Sequence, residues 1–156
     1  MIEVRPTRSS DNSAVDNLVG RAFAEHRGVY VPTPEARARA SADAGAFSRV
    51  VATDRGEVLV GTLLYRVEDD RMHVRGLAVD PNRRRQGIAR ALLESVLKEA
   101  RLTRLRAVSL FTVLQSGNVP IFERLGFQTV NTTVDESTTL VQSGGPATAV
   151  YMERTV

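Results

Sequence analysis

Apolar residues recur along the chain with two periods, and the helical period dominates the N-terminal third. One apolar stripe at helical spacing follows a capping pair formed by Ser13 and Asp16. Its members are Val15, Leu18, Val19, Ala22 and Phe23. A second helix is predicted from Pro34 to Ala44, because Thr33 is a good N-cap and proline suits the first helical position. This second helix has only a weak apolar face, which predicts a peripheral position.

The strand period of two dominates most of the remaining chain. Strands are predicted over Met1–Arg8, Phe47–Thr53, Val58–Val67, Met72–Val79, Arg106–Leu114, Phe127–Val134 and Ala149–Arg154. The first of these alternates weakly, which is typical of a short edge strand. Turn residues separate the strands, notably Asp54-Arg55-Gly56, and a polar loop containing Ser143-Gly144-Gly145-Pro146 precedes the last strand.

The clearest helical pattern runs from Ile88 to Arg101, with a wide apolar face and a charged opposite face. A shorter helix is predicted over Asn118–Leu125 and ends at Gly126. No repeat, low-complexity tract or linker interrupts the chain. These elements predict one domain over residues 1–156, of the α/β (α+β) class, with a strand–helix–strand crossover behind a mostly antiparallel front half.

Composition narrows the function classes. The 156 residues include no cysteine, which excludes disulfides, thiolate metal sites and a cysteine nucleophile, and we expect no metal. No apolar run is long enough to cross a membrane, and the N-terminus lacks the apolar stretch of a signal peptide, so we expect a cytoplasmic protein without a membrane partner. The net charge of +3 is small for a nucleic-acid binder, and no nucleic-acid partner is expected.

The basic segment before the long helix is the strongest chemical signal. Arg83, Arg84 and Arg85 are consecutive and stand just before the predicted helix start at Ile88. Cations there oppose the helix dipole by about 0.3–1 kcal/mol each, and unpaired backbone N–H groups at a helix start attract anions. A bound polyanion would remove this conflict. The alternative interpretation is a solvated basic loop beside a helix.

The same segment resembles the phosphate signature of the GNAT N-acetyltransferases, Arg/Gln-x-x-Gly-x-Gly/Ala. The matching residues are Arg84-Arg85-Gln86-Gly87-Ile88-Ala89. Leu77-Ala78-Val79-Asp80-Pro81 precedes them at the family's usual offset, and Asn118–Phe127 looks like the family's second cofactor motif. The order of elements also fits over the whole chain. The resemblance implies the GNAT acyl-CoA N-acyltransferase fold, a central sheet of about seven strands flanked by about four helices.

The resemblance further implies that acetyl-CoA is the donor and that an amine attacks it directly in a ternary complex. The main chain of Leu77, Ala78 and Val79 would pair with the pantetheine arm. The pyrophosphate would be held by the Arg84 side chain and by main-chain amides of Arg85, Gln86, Gly87, Ile88, Ala89 and Arg90. Gly76 suits a strand bulge that separates the two strands around the cofactor. Asn118 would contact the cofactor or serve only as the N-cap of the short helix.

Two positions depart from the family's usual catalytic residues. His73 stands where many members have a glutamate base, and an imidazole suits that role; a surface histidine is the alternative. The Val79 N–H is the usual donor to the acetyl carbonyl. Phe122 replaces the tyrosine that usually protonates the thiolate, so it would only pack against pantetheine. Ser116, Tyr65 or water could supply the acid instead.

The acceptor is not specified by any motif. By resemblance it would bind between residues 25–46 and 134–149, where Glu25, Asp135 and Glu136 either attract a cationic amine or are solvated loop charges. A small amine, an aminoglycoside-like compound, a protein N-terminus and a lysine all stay open. The rival hypotheses are an acyl-CoA sensor without turnover and, more remotely, a nucleotide-binding protein. The resemblance also allows a homodimer formed through the C-terminal strands.

Overall fold

The computed structural model describes all 156 residues. Its strands are β1 (Ile2–Pro6), β2 (Tyr30–Pro32), β3 (Ser48–Asp54), β4 (Val58–Glu68), β5 (Arg71–Val79), β6 (Ala107–Val113), β7 (Gln128–Leu140) and β8 (Pro146–Thr155). Its helices are α1 (Asn12–Ala22), α2 (Pro34–Asp43), α3 (Ile88–Leu102) and α4 (Val119–Arg124). The strands form one sheet in the order β1-β3-β4-β5-β6-β8-β7-β2, in which only the β5–β6 pair is parallel.

The predicted fold class is confirmed, with one more strand than the sequence suggested. The additional strand is β2, three residues that pair with the far end of β7 at the edge of the sheet. Strand β7 also continues to Leu140, so much of the predicted polar loop is a long hairpin with β8. The pattern missed this extension because β7 is rich in threonine and polar on both faces.

Helices cover the sheet on both faces. Successive residues Val50, Val51 and Ala52 of β3 are all buried, and both α1 and α3 contact β4 and β5. The apolar stripe of α3 is fully buried and comprises Ile88, Leu92, Leu93, Val96, Leu97 and Ala100. Burying each larger side chain of this stripe is worth about 1.5–3 kcal/mol, so α3 is anchored firmly. Helix α2 has no buried residue, as its weak apolar face predicted.

The parallel pair β5–β6 opens part-way along its length. Residues Arg71–Val74 pair with Ala107–Leu110, and beyond them no register is kept although both strands continue. Gly76 lies at the opening with φ +64°, beside a register shift between β4 and β5. A positive φ favours glycine, and a bulge bends its strand. The predicted bulge at Gly76 is therefore confirmed, and it splits the sheet.

Candidate functional site

A cleft of about 220 Å³ occupies the split between β5 and β6. Its walls come from both faces of the sheet, because the strands no longer pair there. The lining residues are Phe23, His26, Tyr30, Val74, Gly76, Leu77, Leu110, Phe111, Thr112, Val113, Asn118, Phe122, Asp135 and Ala149. The cleft is thus mostly apolar with a few polar groups, which is typical of small-molecule sites.

Main-chain groups of β5 form one side of this split. Ala78 and Val79 pair with Thr62 and Gly61 of β4, while their other edge faces the separated strand. Leu77 lines the cleft and Ala78 is buried. Because the ladder to β6 has ended, main-chain groups on this edge are open to an extended ligand.

The loop between β5 and α3 has an unusual backbone. Arg85 and Gly87 have φ values of +64° and +77°, and Gly87 is the N-cap of α3. The left-handed region costs a non-glycine residue roughly 1–2 kcal/mol, and such positions concentrate at functional sites. Alternation of left- and right-handed residues turns successive N–H groups toward one point and creates an anion-binding concavity. The loop therefore fits a phosphate group.

Some side chains around this loop form ion pairs with other parts of the fold, and others are exposed to solvent without such a partner. Arg83 donates to Asp54 at 2.8 Å, and Asp54 also contacts the N-terminal ammonium at 3.1 Å. Arg84 lies 3.4 Å from the Glu25 carboxylate in an exposed ion pair. Arg85, Gln86 and Arg90 are exposed, whereas the side chain of Ile88 is buried. Ile88 and the small Ala89 can thus offer main-chain groups only.

The second predicted cofactor motif lies on the same cleft. Asn118 is the N-cap residue of α4, but its side chain makes no capping hydrogen bond, and the residue lines the cleft. Phe122 also lines it, with its ring edge-on to Phe127 at 6.0 Å between centroids. Asn118 is therefore free to contact a ligand, and Phe122 contributes an apolar wall.

His73 lies close to the cleft and is not part of its lining. Its Nδ1 is 2.9 Å from Ser109 Oγ, and its ring meets the Phe111 ring at 5.6 Å. Burial lowers the pKa of His73, and Glu68 at 3.9 Å opposes the shift. Cationic neighbours add to the lowering, namely Arg66, Arg71 and Arg75. His73 is thus held as a neutral imidazole with one nitrogen occupied.

The other two candidate acids, Ser116 and Tyr65, lie in different surroundings. Ser116 donates to the Val113 carbonyl at 2.6 Å and accepts from the Asn118 N–H, so its hydroxyl stabilises the turn before α4. Tyr65 lines a different groove, beside Ser95 and Glu99 of α3. Tyr65 is therefore separated from the cleft and cannot reach a leaving group there.

Sequence reasoning placed the acceptor between residues 25–46 and 134–149 without singling out His26 or Tyr30, and it did not consider Phe111. His26, Tyr30 and Phe111 line the cleft, and so does Asp135, which the sequence left open between an acceptor contact and a solvated charge. These residues come from three separate parts of the chain, and no local motif links them. The Phe111 ring packs on Tyr151 at 5.0 Å and is 59% exposed, so it presents aromatic surface to the cleft.

Two further observations concern the molecule as a whole. No helix is long and apolar enough to cross a membrane. No group of three or more histidine, aspartate or glutamate side chains is arranged to hold a metal ion.

Comparison with known proteins identifies this arrangement. The acetyltransferase (GNAT) family model matches residues 14–127, which is most of the chain. The chain belongs to the GNAT acetyltransferase family. The matched residues include the split strand, the loop before α3 and the short helix α4. No curated protein matches the sequence.

Solved GNAT structures share the whole fold at low identity. The ribosomal-protein-S18-alanine N-acetyltransferase from Escherichia coli is 22% identical, with a TM-score of 0.75, over 100% of this chain and 94% of that chain. The PaiA N-acetyltransferase from Thermoplasma acidophilum, in complex with coenzyme A, is 14% identical with a TM-score of 0.74 over 100% and 99%. YncA from Salmonella typhimurium, with its cofactor acetyl-CoA, is 18% identical with a TM-score of 0.69 over 99% and 93%. The TM-scores show a common fold, and sequence identities this low leave the acceptor open.

Proposed function

We propose that this GNAT acetyltransferase transfers the acetyl group of acetyl-CoA to a primary amine, with both substrates bound together. The observation that carries the proposal is the open β5–β6 split, which leads from the loop Arg84–Gly87 to a cleft with polar groups at its far side. An extended chain can lie in such a split while its phosphates bind the loop. Two structural neighbours, YncA and PaiA, were solved with acetyl-CoA or coenzyme A.

The donor would be held mainly by main-chain groups. Leu77, Ala78 and Val79 offer the unpaired edge of β5 to the pantetheine amides, as a strand added to the sheet would use it. Arg85 to Arg90 offer N–H groups to the pyrophosphate, and the Arg84 guanidinium adds a charge-assisted contact. Asn118 and Phe122 close the cleft from α4.

Acetyl transfer needs a polarised thioester carbonyl and a route for one proton. We assign the polarising hydrogen bond to the Val79 N–H, because fixed N–H donors stabilise charge that develops on a carbonyl oxygen. The family resemblance points to His73 as one candidate acceptor of the proton, but its Nδ1 is already engaged by Ser109 and burial lowers its pKa. Phe122 has no proton to give, so the thiolate leaves without an acid from that position.

Thiol release with a panel of amines tests the proposal. The protein is mixed with acetyl-CoA and each amine, and free coenzyme A is measured against a reaction without amine. Amine-dependent thiol release together with an acetylated product of the expected mass would support transferase activity. Binding of acetyl-CoA with no amine-dependent release would instead favour the sensor hypothesis, to which the absence of a tyrosine at position 122 lends weight.

The cellular location and the oligomeric state of the protein are expectations. We propose a cytoplasmic enzyme, and a homodimer through the C-terminal strands is the assembly that the family resemblance suggests. Strand β7 is exposed from Gln128 to Val134, which leaves that region accessible to a second copy. Light scattering across a range of protein concentrations measures the oligomeric state directly.

A further inference from the structure

We propose that the acceptor amine binds between His26 and Asp135, and that the His26 imidazole accepts the proton that the amine loses. The inference rests on the proposed acetyl transfer and assigns residues to its acceptor half. Both residues line the cleft, one from the turn after α1 and the other from β7.

His26 is positioned by its aromatic neighbours and is not bonded to the fold. Its ring stacks on Tyr30 at 5.9 Å and meets Phe23 at 5.7 Å. Its Nδ1 is buried without a hydrogen-bond partner, whereas Nε2 is neither buried nor hydrogen-bonded and is the nitrogen that an amine in the cleft can reach. A buried ring nitrogen left unsatisfied is costly in a purely structural histidine and calls for an explanation. His73 differs, because Ser109 already occupies its Nδ1.

Burial, more than the neighbouring charges, keeps the His26 imidazole neutral. Burial lowers its pKa below the ordinary value of 6.5; Glu25 opposes the shift and Arg84 adds to it. Tyr30 packs against the ring as a neutral phenol, because burial raises its pKa above 10. Asp135 is the carboxylate that faces the same cleft from β7. A neutral imidazole can accept a proton, whereas an imidazolium would repel a cationic amine.

Asp135 supplies the negative charge of the acceptor site. Burial raises its pKa, but hydrogen bonds from Ser137 and Thr138, together with the positive charge of Arg39 on α2, outweigh burial, so the net effect is a lowered pKa. The Thr138 hydroxyl donates at 2.8 Å and the Ser137 N–H at 3.0 Å. These donors fix the carboxylate in its charged form at the cleft. A fixed anion attracts an ammonium and stabilises positive charge that develops on nitrogen.

The remaining walls indicate what the amine carries. Tyr30 and the exposed ring of Phe111 present aromatic surface to the cleft. Aromatic faces attract both cations and flat apolar groups. The favoured acceptor is therefore a primary amine that carries an aromatic or apolar group, and phenethylamine is the simplest probe.

The proposed step conserves atoms and charge. The acceptor first releases its ammonium proton to solvent. The lone pair of the neutral amine then forms a bond to the thioester carbonyl carbon, and the nitrogen becomes cationic again beside Asp135. His26 accepts one proton from that nitrogen. The carbon–sulfur bond then breaks with its electron pair on sulfur, and the thiolate takes up the proton. The products are the N-acetylamine and coenzyme A thiol.

The test uses thiol release with acetyl-CoA and phenethylamine in the full chain. We expect H26Q to lower kcat by about 100-fold or more, the range for a lost general base, while calorimetry shows unchanged affinity for acetyl-CoA. D135N should raise the KM for phenethylamine by about tenfold or more with a smaller change in kcat. R27Q is the matched control, because Arg27 is exposed on the same turn and does not line the cleft.

Chemical rescue separates catalysis from structure. H26A removes the ring from between Phe23 and Tyr30, and added imidazole should restore part of its activity while leaving R27Q unaffected. The acidic limb of the wild-type kcat–pH profile should disappear in H26Q. Activity of H26Q within about threefold of wild type, or a loss confined to H73Q, would overturn the assignment.

Two negative results separate failure of the acceptor assignment from failure of the proposed acetyl transfer. If other amines are acetylated and phenethylamine is not, the acceptor class is wrong although acetyl transfer stands. If acetyl-CoA binds and no amine promotes thiol release, acetyl transfer itself is wrong, and the His26 assignment fails with it.

Discussion

Gly61 of β4 lies directly beneath Ile88, the first residue of α3. A Cβ atom on Gly61 would stand 2.7 Å from Cγ2 of Ile88 and 3.0 Å from Cδ1 of Leu92. Glycine therefore allows the start of α3 to sit against the sheet, and that start carries the proposed phosphate loop.

Gly61→Ala should destabilise the protein and weaken the donor site together. Overpacking a full core costs about 1–3 kcal/mol, which lowers Tm by roughly 2–4 °C per kcal/mol in a domain of this size. Gly20→Ala is the control, because Gly20 lies in α1 with no atom within 4 Å of the added methyl, and alanine favours helix. Differential scanning calorimetry should show Tm falling in the first variant and rising slightly in the second. Equal Tm values would mean that α3 shifts without strain.

Arg84→Glu should weaken acetyl-CoA binding by more than about tenfold, because it replaces a phosphate partner with a like charge. The pair with Glu25 is exposed and contributes at most about 1 kcal/mol, so its loss should leave the fold stable. Isothermal titration calorimetry measures the affinity, with Arg101→Glu at the far end of α3 as a charge-matched control. Unchanged affinity in Arg84→Glu would remove Arg84 from the donor site.

Phe122→Tyr should fold, bind acetyl-CoA within about threefold of wild type and turn over at least as fast if thiolate departure limits the rate. The added hydroxyl extends a ring that already lines the cleft, so it can meet solvent. A closed apolar site would instead cost about 1–3 kcal/mol for the unsatisfied hydroxyl. The measurement is kcat against pH for both proteins with one amine. A new fall in rate near the phenol pKa of about 10 would place the hydroxyl on the reaction path. Loss of donor binding would show that α4 does not contact the donor as proposed.

Asp11→Asn should lower stability at neutral pH and lose its effect in acid. Arg5 donates to both carboxylate oxygens of Asp11 at 2.8 and 3.0 Å, and the Arg8 N–H donates at 2.7 Å. These bonds lower the pKa of Asp11 from 3.8 to about 2. A lowered carboxyl pKa stabilises the folded state above the unfolded pKa, and that contribution is lost as pH falls from 3.8 toward about 2.

Urea unfolding at several pH values measures this effect. The midpoint difference between wild type and Asp11→Asn should be largest near neutrality and shrink steadily below the unfolded pKa. Asp43→Asn serves as the control, because Asp43 is exposed at the end of α2. A difference that stays constant into acid would mean that the amide is tolerated or disfavoured for steric reasons unrelated to charge.

The segments of the proposed donor half could be predicted because their signals are local. The break at Gly76, the arginines before Ile88 and the start of α4 are each set by a few adjacent residues, and the structure has a bulge, a left-handed loop and a helix at these places. The family resemblance added their common purpose. Periodicity also located the remaining helices and most strands.

The family resemblance placed the acceptor between residues 25–46 and 134–149, but local pattern did not identify the individual residues. Strand β2 is only three residues long and ends in a proline, so it forms because β7 offers an edge. His26 and Asp135 are more than a hundred residues apart, and only the sheet order brings them to one cleft. The hydrophobic periodicity of the sequence does not reveal this proximity, because each residue looks like an ordinary surface position in its own segment.

The two proposed halves of the cleft also differ in how far their elements are buried in the core. Strand β5 and helix α3 are built into the buried core, whereas Tyr30–Pro32 joins the sheet through a three-residue ladder at its outermost edge. Exchange of that short border segment would leave the core sequence untouched. We therefore expect that substitutions in this edge segment could change the acceptor preference while the proposed donor site stays intact.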